Sequence, residues 1–236
     1  MHYVIADIHG NLRRFNSILE QIDLQPEDTL YILGDVIDRH PYGIQILRTI
    51  MGMKNVQMIL GNHEYMMMGA IGVPGDPKTM WDKELRHWYR NGGKVTYHAL
   101  RRLRVQSRKE IFSYLKALPL NIDVTVNGET YKLVHGGPVE EFHGNVERYH
   151  NETYFAVWKR YTADEFVPNG YTMVFGHTPT DEYQNDKVMR IWHGNQMIGI
   201  DCGSGYPDAG VGDHEAHGRL ACLRLEDGKE FYSKEN

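Results

Sequence analysis

Leu30-Tyr31-Ile32-Leu33-Gly34-Asp35-Val36-Ile37-Asp38-Arg39 changes character in its middle: four apolar, β-forming residues give way to a loop of glycine, two aspartates and an arginine. A buried strand ending in ligand-type side chains is what an open α/β sheet uses, because its ligands bind beyond the carboxyl ends of the strands. The neighbouring sequence repeats the device. Upstream, Tyr3-Val4-Ile5-Ala6 runs into Asp7-Ile8-His9-Gly10; downstream, Val56-Gln57-Met58-Ile59-Leu60 runs into Gly61-Asn62-His63-Glu64. Between these runs, Leu12, Phe15, Ile18, Leu19 and Ile22 recur at helical spacing with Asn11 as N-cap, and Pro41 stands as a first-turn proline ahead of Ile44, Leu47 and Met51. The first sixty residues therefore read β-α-β-α-β, a pattern that demands a parallel sheet.

From Asn62 to Leu118 the pattern is helical. Trp81, Leu85, Trp88 and Tyr89 share one face and Ile111, Phe112, Leu115 and Leu118 another, both read as core, and Met66-Met67-Met68 as adaptable packing. After Pro119 the period switches to two, with Leu120, Ile122, Val124 and Val126 leading to an Asn127-Gly128 turn and then to Tyr131, Leu133 and His135. That spacing predicts antiparallel pairing. Gly194-Asn195 and Asp227-Gly228 mark two further hairpins, read as part of a second sheet. No repeat or linker divides the chain, so the expectation is one α/β domain over 1–236 with a helical insert at about 65–118.

The 236 residues are 24% charged and 41% hydrophobic, an ordinary globular composition that excludes collagen-like and coiled-coil readings. A net charge of -5 argues against holding nucleic acid or an anionic membrane by bulk electrostatics. Met1-His2-Tyr3 enters a strand pattern directly instead of a basic leader, and no apolar run approaches a membrane span. Two cysteines, Cys202 and Cys222, make no disulfide framework. The expectation is a cytoplasmic protein with no nucleic-acid, membrane or obligate partner, in which the sequon at Asn151 carries no meaning.

Two later strand ends deliver His135-Gly136-Gly137 and Gly176-His177-Thr178. Singly, each of the five loops is an ordinary turn, since Asp, Asn and Gly are turn residues. Together they are not: at ~5% usage per residue type, four specified residues in the Gly-Asp-x-x-Asp-Arg pattern arise by chance in roughly one chain per thousand. The set supplies Asp7, His9, Asp35, Asn62, His135 and His177, hard oxygen and imidazole donors without thiolate. Such donors suit Mn, Fe, Zn or Mg. Six are too few to fill two octahedral ions, so water completes the shells, and a carboxylate, Asp35, must join the pair.

These motifs resemble the calcineurin-like metallophosphoesterases, and among them the serine/threonine phosphoprotein phosphatase branch, over the stretch from Asp7 to His177. The resemblance implies two mixed β-sheets packed as a sandwich flanked by helices, in four layers. It also implies two divalent ions, manganese expected, with Asp7 and His9 on the first, Asn62, His135 and His177 on the second, and Asp35 on both. Pro179, where the wider superfamily often has a second histidine, favours the phosphatase branch; Ala6 departs from its usual glycine. The Trp88-Tyr89-Arg90-Asn91-Gly92-Gly93 tract and Leu118-Pro119 are similar to bacterial phosphatases.

The expected chemistry is attack of a metal-bridging hydroxide on a phosphate ester, with Arg39 and, by resemblance, Arg160 of Trp158-Lys159-Arg160 gripping phosphoryl oxygens beside Asn62. His63, its other ring nitrogen held by Asp38, is the candidate general acid. His214-Glu215-Ala216-His217 has the wrong spacing for a zinc helix, Cys202 reads as packing, and Tyr206 with the 203–218 loop as a gate. The substrate expected is a phosphorylated protein or small phosphate ester, His63-Glu64 leaning towards the protein. The alternatives are symmetrical diadenosine tetraphosphate hydrolysis and a catalytically inactive binding scaffold.

Overall fold

The computed structural model describes residues 1–71, 83–143, 148–165, 170–186, 188–206 and 218–234. The β-α-β-α-β start forms as read: β1 (His2–Ile5), α1 (Leu12–Ile22), β2 (Thr29–Ile32), α2 (Gly43–Gly52) and β3 (Val56–Met58), with β1-β2 and β2-β3 parallel. The Asn11 side chain accepts the Arg14 N–H and caps α1. Pro41 falls outside α2, because the Tyr42 N–H is spent on the Gly10 carbonyl and the helix starts one residue later.

The helical stretch holds α3 (Asn62–Ala70), α4 (Lys83–Arg90), α5 (Lys94–Arg101) and α6 (Val105–Lys116); Trp81 lies outside the described residues. Then follow β4 (Asn121–Val126), β5 (Glu129–Val134), α7 (Glu152–Trp158), β6 (Thr172–Phe175), β7 (Trp192–His193), β8 (Met197–Gly199), β9 (Ala221–Arg224) and β10 (Glu230–Tyr232). Asn127 and Gly128, both at positive φ (52° and 85°), close the two-residue β4-β5 hairpin. In the next hairpin it is Gln196, not the predicted glycine, that turns left-handed at φ 57°. Asn151 has a structural use: its side chain accepts the Tyr154 N–H at 2.7 Å and caps α7.

Two mixed five-stranded sheets result, ordered β10-β9-β1-β2-β3 and β4-β5-β6-β8-β7. The β9-β10 hairpin joins the first sheet, antiparallel to β1, and not the second as its position in sequence implied. A hairpin's local signals fix its turn but not the sheet edge it covers. Here β1 is buried on both faces and needs a partner on its open side. Val4 and Ala6 face the second sheet with Leu33, Leu133, Val174 and Leu223, while Tyr3 and Ile5 face the helices with Phe15, Ile18 and Trp88. Each of the buried Val, Leu, Ile and Phe side chains stabilises the fold by about 1.5–3 kcal/mol, and the double burial explains the unbroken apolar runs. The strand ends emerge together at one rim of the sandwich. No helix among the described residues is long and apolar enough to cross a membrane.

Candidate metal centre

Among the described residues, nine non-glycine residues have positive φ, and six of them, Asp7, His9, Asp35, Asp38, Arg39 and His177, are residues singled out in the sequence. Aspartate and histidine tolerate this conformation better than most residues, at a cost that packing must offset. The loops are packed hard enough to do so. A Cβ on Gly61 would strike the Asp35 backbone and carboxylate, and one on Gly176 would strike Asp7 Oδ2. The His177 N–H donates to Asp7 Oδ2 at 3.0 Å, and the His63 N–H to Asp35 Oδ1 at 2.9 Å, so carboxylates tie distant loops together.

Two groups of buried side chains bring their ligand atoms within 4.8 Å of one another: His9, Asp35 and His63, and Asp35, His135 and His177. Asp35 belongs to both. Asp7 borders the first group, its Oδ1 4.0 Å from His9 Nε2. Asn62 borders the second, its Oδ1 2.8 Å from His135 Nε2.

Hydrogen bonding tests whether a cation pair fits. His135 Nδ1 lies 2.6 Å from the Leu33 carbonyl, which can only accept, so Nδ1 carries the proton and Nε2 presents a lone pair. That lone pair faces another, on Asn62 Oδ1. His9 repeats the arrangement, with Nδ1 3.2 Å from the Ile37 carbonyl and Nε2 turned to Asp7 and Asp35. His177 Nε2 is buried and has no hydrogen-bond partner among the described residues. Burial, above all, lowers the pKa of His9, His135 and His177, which keeps them neutral, the form that binds metal. Lone pairs aimed at oxygens in a dry site repel unless a cation lies among them. The donors fit two divalent ions, and metal-bound histidines commonly anchor their second nitrogen on a carbonyl as His9 and His135 do.

His63 is the exception. Burial opposes its charge, but Asp35 and the hydrogen bond to Asp38 outweigh burial and raise its pKa. Its Nδ1 lies 2.7 Å from Asp38 Oδ2 and its Nε2 3.8 Å from Asp35 Oδ2. Distance groups it with the candidate ligands, while its raised pKa and its bond to Asp38 set it apart from the three histidines whose pKa is lowered. The same Asp38 oxygen accepts the Trp88 indole N–H at 2.7 Å, so Trp88, read as plain core, also positions Asp38.

Sequence reasoning missed three further residues. Glu64, read as part of a motif, accepts the N–H groups of Asp35 and Val36 at 2.9 Å and of Ile37 at 3.3 Å, holding the whole Gly34–Arg39 loop. Asp201 is buried beside the aspartates and accepts the Gly203 N–H at 2.9 Å. Arg14, 2% exposed, donates to the Ser204 carbonyl at 2.8 Å and the Tyr206 carbonyl at 3.2 Å. It thereby fixes the loop whose Gly205 lies against Arg39 and His9. A charged residue off the apolar stripe of its helix was the only signal for it.

Arg39 is exposed, pairs with no carboxylate among the described residues, and its charge lowers the pKa of His9. Arg160 donates to Glu182 at 2.9 Å at the surface, so any anion reaching it would compete with that carboxylate, although its charge is felt at His135 and His177. Cys202 is packing: burial raises its thiol and Thr180 Oγ1 lies 3.7 Å away. The His214–His217 segment, and the 203–218 loop beyond Tyr206 up to Gly218, lie outside the described residues.

Burial raises the Glu64 carboxyl to about 7 and holds Asp7 well above the usual range, with Asp35 adding to both and Asp201 to Asp7. A raised acid binds protons that the unfolded chain has lost, so stability falls as pH rises through the folded value. The lowered histidines act oppositely, but only below their ordinary pKa of about 6.5. The cation-free protein is therefore expected to lose thermal stability between about pH 6.5 and 8, as scanning calorimetry after metal stripping would measure. A flat or rising melting temperature there contradicts this account.

Buried carboxylates and neutral imidazoles gathered at the strand ends of a two-sheet sandwich define a metal-dependent phosphohydrolase architecture. The calcineurin-like phosphoesterase family model matches residues 3–199, and the chain belongs to that family. Among curated relatives, the symmetrical bis(5′-nucleosyl)-tetraphosphatase of Erwinia tasmaniensis is 35% identical over 79 residues, 33% of this chain and 29% of its own length. That of Wigglesworthia glossinidia brevipalpis is 43% identical over 65 residues, 27% and 24% of the two chains. The matches thus span under a third of these relatives. Among solved structures, a candidate diadenosine tetraphosphatase has a TM-score of 0.62 at 17% identity, covering 98% of this chain and 91% of its own. A cold-active protein-tyrosine phosphatase of a Shewanella species has 0.55 at 17%, covering 99% and 80%. Both likenesses speak to the fold.

Proposed function

We propose that the chain hydrolyses a phosphoric anhydride, a symmetrical dinucleoside tetraphosphate, at a binuclear metal centre built on Asp7, His9, Asp35, Asn62, His135 and His177. The observation that carries the metal chemistry is the set of neutral imidazole lone pairs facing buried oxygens around Asp35. The curated relatives support the substrate class. The phosphoprotein reading leaned on Glu64, whose bonds go to loop backbone and not to the rim where substrate binds.

When bound, the cations supply Lewis-acid activation of water and neutralise phosphoryl oxygens. Arg39 offers a planar fork to the equatorial oxygens, and no carboxylate among the described residues occupies that fork. Asp38 fixes the proton on His63 Nδ1, so the transferable proton sits on Nε2, next to Asp35. Water oxygen bonds to one of the two inner phosphorus atoms, the bond from that phosphorus to the central bridging oxygen breaks, and the substrate separates into two nucleoside diphosphates. Water supplies the protons that balance the products.

The test compares kcat/KM of the manganese-loaded chain on diadenosine tetraphosphate with phosphoserine, phosphothreonine and phosphotyrosine peptides. The dinucleotide is expected to lead by about 100-fold or more, to yield only the diphosphate, and to resist turnover after chelation until Mn²⁺ is restored. A preferred phosphopeptide, or unequal nucleotide products, overturns the substrate assignment. Indifference to chelation overturns the metal centre.

A further inference from the structure

Beside the metal centre, α3, α4 and α7 enclose a cavity of about 640 Å³ lined by Tyr65, Met66, His87, His150, Tyr154 and Trp158. Its size falls within the range of about 300–1,000 Å³ typical of small-molecule sites. The lining is unlike a closed core. Five of these six residues carry rings, and the rings form a continuous path. His150 and Tyr154 lie 4.2 Å apart at 38°, Tyr154 and Trp158 5.8 Å at 30°, and His87 and Trp158 5.9 Å at 45°. Trp158 then meets His177 edge-on at 5.5 Å and 89°, so the path ends on a candidate metal ligand.

Two polar features accompany the rings, besides the charged Lys83 and Glu84 that also line the cavity. Trp158 Nε1 is buried and has no hydrogen-bond partner among the described residues, a donor without an acceptor. Partial desolvation and the charge of Arg90 lower the pKa of His87, which favours the neutral ring, with one nitrogen to donate and the other to accept. Flat rings with a few hydrogen-bonding edges match a heteroaromatic base, which presents π-faces and a rim of acceptors and donors. Met66 adds a soft, polarisable contact that suits a ring face.

We infer that this cavity is a nucleoside subsite, in which the base of the substrate stacks on the Tyr154 and Trp158 rings while its polyphosphate extends to the metal centre. The inference rests on the anhydride-hydrolase reading and specifies how that substrate is held. Tyr65 and Met66 follow His63 by two and three residues on α3, within one helical turn, about 5.4 Å of axis. A base anchored there is at a fixed spacing from His63, and that spacing sets which phosphorus reaches the centre. Symmetrical cleavage needs such a ruler. The charge-bearing half of the substrate is left to Arg39 and the cations, and the apolar half to the aromatic wall.

The test uses the product, so that it does not depend on turnover. Calorimetric titration of the manganese-loaded chain with ADP and with inorganic pyrophosphate should show ADP binding about ten-fold tighter, since a stacked base contributes about 1–3 kcal/mol. Tyr154→Ala should bring the ratio close to one, and Tyr154→Phe, which keeps the ring, should preserve it. Unchanged ion stoichiometry and melting temperature in both variants establish that they fold. Equal affinities in the wild type, or a ratio that survives Tyr154→Ala, overturn the subsite. If diadenosine tetraphosphate is still cleaved in that event, the hydrolase assignment stands without it. If a phosphotyrosine peptide is instead the ligand that weakens in Tyr154→Ala, the cavity takes an aryl phosphate and the nucleoside assignment is wrong.

Discussion

Asp35→Asn is expected to lower kcat/KM by about 10⁴-fold or more. A residue that merely holds a metal ligand in place costs about 10–100-fold when removed; Asp35 belongs to both ligand groups, so losses at the two ions multiply. Asparagine is the informative replacement, because its oxygen can still accept the His63 N–H that Asp35 Oδ1 takes at 2.9 Å. Only the charge and one anionic oxygen are lost. The apo protein should not suffer, since Asp35 is among the charges that push Asp7 upward, and removing it relieves that repulsion. What disappears is stabilisation by cation. One ion at a hundred times its Kd adds about 2.7 kcal/mol, which in a chain of this size raises the melting temperature by roughly 5–10 °C. In the variant, Mn²⁺ should shift the melting curve little and elemental analysis should find fewer than two ions. A variant that retains two ions and most of its activity removes Asp35 as the link between the sites.

The residues of this candidate centre stood out in the sequence for a particular reason. Asp7, Asp35, Asn62, His135 and His177 each follow a short apolar run, and a buried parallel strand has no other use for such side chains at its end. The strands and turns were legible for related reasons of period and φ, as the Asn127-Gly128 hairpin illustrates. What escaped were residues whose partner is distant in sequence. Glu64 looks like an acid in a first helical turn, and nothing local reveals that its carboxylate grips three N–H groups 27 to 29 residues earlier. Trp88 sits on an apolar face and is buried there as expected; its role towards Asp38 resides in one N–H, 50 residues away. Arg14 reaches 190 residues to Ser204. The same limit applied to β9-β10, whose turn was local and whose sheet was not. Arg160 shows the converse: a motif named the residue, and only the fold revealed Glu182 as its competitor.

His63→Asn should separate the role of this histidine by leaving group. Asparagine keeps a side-chain donor near Nδ1, so the contact with Asp38 survives, while the Nε2 proton is gone. An alkyl phosphate expels a strongly basic alkoxide and depends on that proton, so kcat should fall by about 10²–10⁴-fold. A nucleoside diphosphate leaves as a phosphate whose second pKa is about 6, and it needs little help. The loss on diadenosine tetraphosphate should be less than about ten-fold. Metal content decides between the two readings that distance left open, because His63 Nε2 approaches Asp35 Oδ2 to 3.8 Å, as close as His9 Nε2 does. Two ions with leaving-group-dependent loss mark an acid. One ion with equal loss on every substrate marks a ligand, and the proton then comes from solvent. Unchanged kcat on the alkyl ester leaves His63 a structural partner of Asp38, and the raised pKa of its ring is then a consequence of its two carboxylate neighbours and nothing more.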